Sequence, residues 1–282
     1  MISLAALGNE LYSGRTSLPF VPRRRLWYTI AVVVIVVSAV LVVKPGLNPG
    51  IDFKGGSEIT ITGVADPSEG PANDILNDEG LSAGSSVTTM GSSSVRVQAS
   101  ELDKSRLDAL ASALATAYRV DAGNVSATTI GPTWSSDVTS KAIRGLVIFF
   151  LLVGGLIWIY FRTWKMAGAP LLALGHDIII TVGVYAASGF EVTPATIIGV
   201  LTILGYSLYD TVVVFDKIRE NTAHFDTQTR STYSELANLA VNQTFIRSVN
   251  TSVVGVLPVA SLLVVGAFIL GAGTLRDIAL TL

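Results

Sequence analysis

The chain has 282 residues, of which 50% are hydrophobic and only 14% are charged, a composition too apolar for an ordinary soluble domain. The formal net charge of −2 provides no basic field that would favour nucleic acid, and the absence of cysteine excludes disulfides and thiolate metal sites. The two histidines are too few for a histidine-based metal site, and the sequence contains no catalytic triad, Walker motif or His/Glu metal motif. We therefore expect a membrane protein that is not an enzyme and needs no cofactor.

The chain begins with a polar, loop-like stretch that is followed by an apolar one. Residues 1–25 form the predicted cytoplasmic N-terminal segment, which ends in Arg23, Arg24 and Arg25, and residues 26–43 form the first predicted transmembrane helix. The apolar run is too long for a signal-peptide core and no small-residue cleavage site follows it, so we expect it to be retained. Because Lys and Arg concentrate on the cytoplasmic side of membrane spans, the arginines predict a cytoplasmic N terminus.

Residues 44–141 change to a polar, Gly- and Ser-rich composition with twelve acidic and seven basic residues. Ser57–Val64 alternates apolar and polar residues as a half-buried strand does, whereas Asp103–Tyr118 carries apolar residues at helical spacing. Strands are predicted at 57–64, 85–90, 95–99 and 124–130, and helices at 71–77 and 103–118. The order β-α-β-β-α-β indicates a ferredoxin-like α+β domain. Since it follows a helix that starts inside, this domain is predicted to be extracytoplasmic.

Residues 142–282 are predicted to hold transmembrane helices 2–5 and the start of helix 6. The apolar runs lie at 143–161, 167–187, 196–215 and 248–270, and a further run begins at 275. A cytoplasmic loop is predicted at 216–248, in which 234–247 has helical spacing and is expected to lie along the membrane surface. The three predicted inner segments contain ten Lys and Arg residues, whereas the short outer loop 188–193 contains none, which supports this orientation.

One carboxylate lies inside the fourth apolar run. Asp210 is roughly 8 Å from the inner end of its helix, at about 1.5 Å per residue, and a charge at that depth normally has a function. Arg247 lies near the start of the next span on the same inner side, and its long side chain is predicted to reach Asp210. While paired, Asp210 would stay ionised. If Arg247 swung away, burial would favour proton uptake, which is the physical form of a proton relay.

Alternatives stay open for each of these residues. Asp210 could serve only in packing between helices, and Arg247 could extend to lipid phosphate at the interface. The third apolar run adds His176 and a second buried acid, Asp177. This pair is either a further part of the relay or a local side-chain contact that orients the helix.

Two motifs resemble the SecD/SecF protein-export family. The first, Gly50-Ile51-Asp52-Phe53-Lys54-Gly55-Gly56, stands just outside the first span. The second joins Gly205-Tyr206-Ser207 to the stretch from Asp210 to Asn221, and His176-Asp177 and Asn242-Gln243-Thr244 match the same family. The predicted structural motif residues are Gly50, Asp52, Phe53, Gly55, Gly56, Gly205, Ser207 and Asn242. Nucleotide binding by the first motif is not expected, because a strand follows it instead of a helix.

The resemblance implies half of a resistance-nodulation-division-type bundle, with six helices and an outer domain after the first. It also implies that the proton motive force drives assistance to protein export in a bacterial inner membrane. The implied partners are SecD, the SecYEG channel and the translocating preprotein, with membrane lipid around them and no nucleic acid. The proton is the implied coupling ion.

The family's proton-coupling Asp and Arg correspond here to Asp210 and Arg247, and we add Asp177 and His176 to the predicted site. One departure concerns the last helix of the family. Residues 275–282 are too few to span a membrane, so we expect the sixth helix to be truncated or lost.

Two other functional classes remain. A small-molecule or lipid exporter of the same superfold is one, since a fold does not fix a substrate. Its outer domain would be larger and would enclose an apolar pocket. The other is a passive scaffold of a membrane complex, which would have no use for a buried ionisable pair such as Asp210 and Arg247.

Overall fold

The computed structural model describes residues 4–227, 230–269 and 273–282. The helices are α1 Leu4–Tyr12, α2 Arg24–Val43, α3 Ile51–Lys54, α4 Gly70–Asp78, α5 Lys104–Tyr118, α6 Pro132–Phe161, α7 Trp164–Ser188, α8 Pro194–Thr222, α9 Tyr233–Ser261 and α10 Gly273–Thr281. The strands are β1 Asn48–Pro49, β2 Gly56–Thr62, β3 Ser86–Met90, β4 Ser94–Ala99, β5 Val125–Ile130 and β6 Glu191–Val192. Among the described residues, five helices are long and apolar enough to cross a membrane, namely α2, α6, α7, α8 and α9.

The chain divides into two compact units. The first comprises Met1–Gly46, Ile148–Ser188 and Leu201–Pro258, and the second comprises Leu47–Val147, Gly189–Val200 and Val259–Leu282. The first unit is almost entirely helical, whereas the second contains all six strands.

Small residues bring α2 and α7 together in the first unit. Ser38 on α2 is buried, and a Cβ placed on Gly183 of α7 would overlap its side chain. Small residues at such a crossing let helix backbones approach closely, which favours van der Waals packing where lipid supplies no hydrophobic drive. A second cluster packs Phe161 of α6 and Ala167 of α7 against Phe215 of α8.

The N-terminal segment contradicts the expectation of a loop, because Leu4–Tyr12 forms a helix. Leu11 is fully buried, and Gly8 lies against Ile246, whose side chain would be 3.4 Å from an added Cβ. The mixture of polar and small residues in this stretch gives no clear helical pattern, so the sequence did not predict the helix. Its stability comes from packing on α9, and tertiary packing supplies most of the stability of so short a helix.

The predicted inner loop 216–248 is also mostly helical. α8 continues to Thr222 and α9 begins at Tyr233, so only ten residues separate them. Thr232 and Glu235 form a reciprocal capping box in which the Thr232 amide donates to Glu235 at 2.8 Å and the Glu235 amide donates to Thr232 at 3.3 Å. The separate surface helix predicted at 234–247 is therefore wrong: those residues are the first turns of one continuous helix that runs to Ser261.

The second unit contains a four-stranded antiparallel sheet. Its strand order is β3-β4-β2-β5, and the strands and helices between residues 56 and 130 lie within two residues of their predicted bounds. Ile59 and Ile61 alternate toward the core, where they meet Leu110 and Leu114 of α5. The period-2 and period-3.6 patterns were therefore correct in this segment, because each element buries one apolar face.

Glycines in the first motif allow the chain to enter β2. Gly55 and Gly56 have φ values of +78° and +145°, and a Cβ on Gly56 would lie only 2.7 Å from the Ala99 carbonyl oxygen. Glycine alone tolerates that combination without strain. Just before the motif, β1 pairs in parallel with β6, with Asn48 opposite Glu191.

Candidate functional site

Asp210 lies in the interior of α8, within the first unit. Its Oδ1 atom is buried and has no hydrogen-bond partner among the residues that the structure describes. A desolvated carboxyl oxygen without a partner costs free energy, so stable proteins rarely keep one without a use. The proton-coupling role of Asp210 stays a prediction.

Arg247 on α9 reaches the same level of the bundle but contacts the neighbouring residue, Tyr209. Its Nη2 atom donates a hydrogen bond of 2.6 Å to the Tyr209 hydroxyl, and its guanidinium carbon lies 5.6 Å from the centre of the Tyr209 ring. The ion pairs within 4.0 Å among the described residues do not include one between Arg247 and Asp210. The coupling of Asp210 to Arg247 stays a prediction, and Tyr209 is the partner that the sequence did not indicate.

Contacts at two further levels show that α8 and α9 run antiparallel beside each other. A Cβ placed on Gly255 of α9 would lie 3.6 Å from the Tyr206 ring of α8. Nearer the other end of the pair, Asn221 donates a hydrogen bond of 2.9 Å to Gln243. Arg247 and Tyr209 meet between these two contacts, so the position of the guanidinium is set by the helix pair as a whole.

Asp177 connects α7 to α8 on another side of Asp210. The Ser207 hydroxyl donates a short hydrogen bond to Asp177 Oδ2, and His176 Nδ1 lies 3.5 Å from Asp177 Oδ1. Ser207 precedes Asp210 by three residues, nearly one helical turn, so both project from similar faces of α8. Three of the four predicted proton-coupling residues, Asp177, Asp210 and Arg247, thus lie on the neighbouring helices α7, α8 and α9, and the fourth, His176, lies beside Asp177.

A cavity of about 750 Å³ lies beside Arg247 in the same unit. Helices α1, α8 and α9 contribute its walls, which combine polar and apolar side chains. The lining residues are Gly8, Asn9, Tyr12, Tyr206, Tyr209, Gln243, Ile246, Arg247, Asn250, Thr251, Val254 and Gly255. Of these, Arg247 alone carries a formal charge. The cavity is large enough, and its lining polar enough, to hold water next to the guanidinium.

Asn242 of the predicted motif fastens the N-terminal segment to α9. Only 1% of the residue is exposed, and its side chain accepts from the Leu18 amide at 2.8 Å and donates to the Leu18 carbonyl at 3.0 Å. Asn238, one turn earlier, accepts from the Val21 amide at 3.0 Å. Asn242 therefore ties the N-terminal segment to α9, and the sequence did not indicate Leu18 as its partner.

The first motif contributes to a charged cluster in the second unit. Arg96 lies 3.3 Å from Glu191 and 3.7 Å from Glu58, and Gln98 donates to both carboxylates at 2.7 and 3.0 Å. A cavity of about 290 Å³ lies beside this cluster, and Asp52 lines it together with the charged residues. Burial raises the pKa of Asp52, nearby Glu58 and Glu191 raise it further, and Arg96 opposes them. Arg96 and Gln98 alternate with the buried Val95 and Val97 along β4, so they project from the opposite face of the sheet, where they meet Glu58 and Glu191.

The remaining motif residues have simpler surroundings. Phe53 is half-buried in α3, and a Cβ placed on Gly205 would meet no atom within 4 Å. A Cβ on Gly50 would lie 2.7 Å from Glu191 Oε1, so this glycine allows the close approach of β6. Within the described ranges, no group of three or more His, Asp or Glu side chains could hold a metal ion.

Comparison with known families accounts for both motifs. The family model described as "Protein export membrane protein SecD/SecF, C-terminal" matches residues 110–282, which include α6 to α10. A second model, "SecD/SecF GG Motif", matches residues 40–62. The chain belongs to the SecD/SecF family of protein-export membrane proteins. The glycine-rich entry into β2 is thus the GG motif of the family.

SecD/SecF relatives cover most of the chain. It is 43% identical over 282 residues to the protein translocase subunit SecF of Streptomyces coelicolor, covering 100% of this chain and 75% of that protein. The SecF of Mycobacterium leprae is 40% identical, and the match covers 96% of this chain and 61% of that protein. The crystal structure of SecDF from Thermus thermophilus, a translocon-associated membrane protein, superposes with a TM-score of 0.80 at 29% identity, covering 94% of this chain and 36% of that one. The chain is thus a multi-pass helical membrane protein of this family.

Proposed function

We propose that the chain is a SecF-type subunit of the Sec export machinery, which uses the proton motive force together with SecD to promote preprotein translocation through SecYEG. The observation that carries the proposal is the buried Oδ1 atom of Asp210, which has no hydrogen-bond partner within the part of the chain that the structure describes. The adjacent residue, Tyr209, binds Arg247. A passive scaffold would gain nothing from such an arrangement. The names of the relatives, protein translocase subunit SecF, support the substrate class.

Proton coupling follows from the two states that Asp210 can take. When the Arg247 guanidinium is close, the ionised carboxylate is favoured, and when it is distant, desolvation favours the protonated form. One charge that crosses about 100 mV supplies roughly 2.3 kcal/mol, which is enough to move such an equilibrium more than tenfold. A change of partner at Asp210 can therefore alter the packing of α8 against α9 in step with the proton gradient.

The outer domain in this proposal is a ferredoxin-like fold on the extracytoplasmic side. The element order from β2 to β5 and the antiparallel order β3-β4-β2-β5 support it, and the twelve acidic residues between 44 and 141 agree with a translocated segment. Single cysteines at Ser93 and Asp226 should react with an impermeant reagent from opposite faces of the membrane. In this orientation the chain lies in a bacterial inner membrane with its N terminus on the cytoplasmic side. Labelling of both cysteines in intact cells would contradict it.

SecD is the proposed partner within the membrane. The SecDF protein of Thermus thermophilus aligns with the chain over 258 residues, which is only 33% of its length. In addition, α9 carries a run of exposed apolar side chains, Val253, Val254, Val256 and Leu257, and α6 carries others such as Leu151 and Leu152. Such faces need lipid or another helix bundle against them, and we propose that SecD covers part of them.

Export in membrane vesicles tests the proposal directly. We expect Asp210→Asn to abolish the stimulation of preprotein export by an imposed proton gradient, while expression and SecD association persist. Asp226→Asn, an exposed aspartate between α8 and α9, is the matched control and should export like the wild type. Arg247→Lys keeps the charge but loses the planar fork, so it should be impaired. Full gradient-dependent stimulation in Asp210→Asn would make Asp210 a packing residue, and stimulation by a sodium gradient alone would replace the proton as coupling ion.

A further inference from the structure

Tyr209 contacts the Arg247 guanidinium with both its hydroxyl and its ring. Its hydroxyl accepts the 2.6 Å hydrogen bond from Nη2, and its ring faces the guanidinium at 5.6 Å from the centroid. A hydrogen bond to a charged group and a cation–π contact both favour this position of Arg247. The tyrosine is about half exposed toward the cavity, so its side chain remains free to change its contacts.

Asp210 follows Tyr209 directly along α8. Successive residues on an α-helix differ by about 100° around the axis and about 1.5 Å along it, so both side chains are at nearly the same height. The guanidinium at Tyr209 therefore lies at the level of Asp210 without forming an ion pair with it, and the Asp210 Oδ1 atom has no hydrogen-bond partner among the described residues. Tyr209 and Asp210 are alternative acceptors for one arginine.

Given the proposed proton coupling, we propose that Tyr209 is a positioning residue that keeps Arg247 off Asp210, so that transfer of Arg247 from Tyr209 to Asp210 is the step that expels the proton. The hydroxyl and the ring together stabilise the state in which Asp210 is protonated. When Arg247 leaves Tyr209, its guanidinium pairs with the Asp210 carboxylate and the proton departs into the cavity. The transfer needs only a side-chain movement and no sliding of α8 along α9.

Other titratable side chains surround this exchange and serve as references. Asp177 and His176 lie on α7, where Ser207 donates to Asp177. Tyr206 on α8 and Tyr12 on α1 line the same cavity as Tyr209. Arg247 donates to Tyr209 in this arrangement, so Tyr206 provides a matched control for loss of a tyrosine hydroxyl from the cavity wall.

The protonated state of Asp210 can be measured without an export assay. A hydrophobic carbodiimide reacts with protonated carboxyl groups, and mass spectrometry of the purified full chain in detergent gives the rate of modification at Asp210, with Asp177 as an internal reference. Tyr209→Phe should slow the modification of Asp210 at neutral pH by about tenfold, the effect expected from one charged hydrogen bond. Tyr206→Phe should leave the rate unchanged.

A double mutant separates positioning from general structure. If Tyr209 acts through Arg247, Tyr209→Phe should have no further effect on the modification rate in an Arg247→Met background. The effects of two substitutions are not additive when one residue acts through the other. An equal effect of Tyr209→Phe in both backgrounds would overturn the proposal, as would an unchanged rate in the single variant. If the modification rates at Asp210 follow these predictions but the wild-type chain shows no gradient-stimulated export, the proposed function is refuted and the positioning role of Tyr209 stands.

Discussion

Release of the N-terminal segment is the most direct test of how α9 is assembled. Asn242→Ala removes the hydrogen bond from the Leu18 amide to Oδ1, at 2.8 Å, and the bond from Nδ2 to the Leu18 carbonyl, at 3.0 Å. At about 1 kcal/mol for each bond, the docked state loses about 2 kcal/mol. That amounts to roughly a 30-fold shift toward the released state.

Hydrogen–deuterium exchange measures this shift at defined amides. The Leu18 amide should exchange roughly 30-fold faster in Asn242→Ala, and the Val21 amide, which donates to Asn238, should follow because one segment carries both. Asn250→Ala, an exposed asparagine on the same helix, is the control and should leave both amides protected. Unchanged exchange at Leu18 in Asn242→Ala would refute the assignment of Asn242 as the fastener of this segment.

Two further predictions concern the second unit. Gly56→Ala should destabilise the outer domain by more than about 1 kcal/mol, because Gly56 has φ +145° and its Cβ would lie 2.7 Å from the Ala99 oxygen. Gly70→Ala, where a Cβ meets nothing within 4 Å, should stay within about 0.5 kcal/mol in the same urea unfolding measurement. Because burial raises the pKa of Asp52, the folded chain binds a proton more readily than the unfolded chain, so stability should rise as the pH falls through the raised pKa. Asp52→Asn should flatten that dependence in unfolding measured from pH 4 to 7, and an unchanged profile would remove Asp52 as its cause.

Much of the architecture follows from local patterns in the sequence. The apolar runs predict the membrane helices because a span must satisfy its backbone internally and face lipid with apolar side chains. The alternation at Ile59 and Ile61 and the helical spacing at Leu110 and Leu114 predict the outer elements because each buries one face. Asp210 was recognisable as a functional candidate because a carboxylate is costly within an apolar helix.

The partners of these residues were decided only by tertiary structure. Nothing local indicates that Asn242 binds Leu18, which is 224 residues away, or that α1 packs against α9. Likewise, sequence spacing brought Arg247 to the level of Asp210, but the packing of α8 on α9 selected Tyr209 as its acceptor. Periodicity determines which face of a helix is apolar, whereas the choice between two neighbouring acceptors depends on distances of a few ångströms that only the folded chain sets.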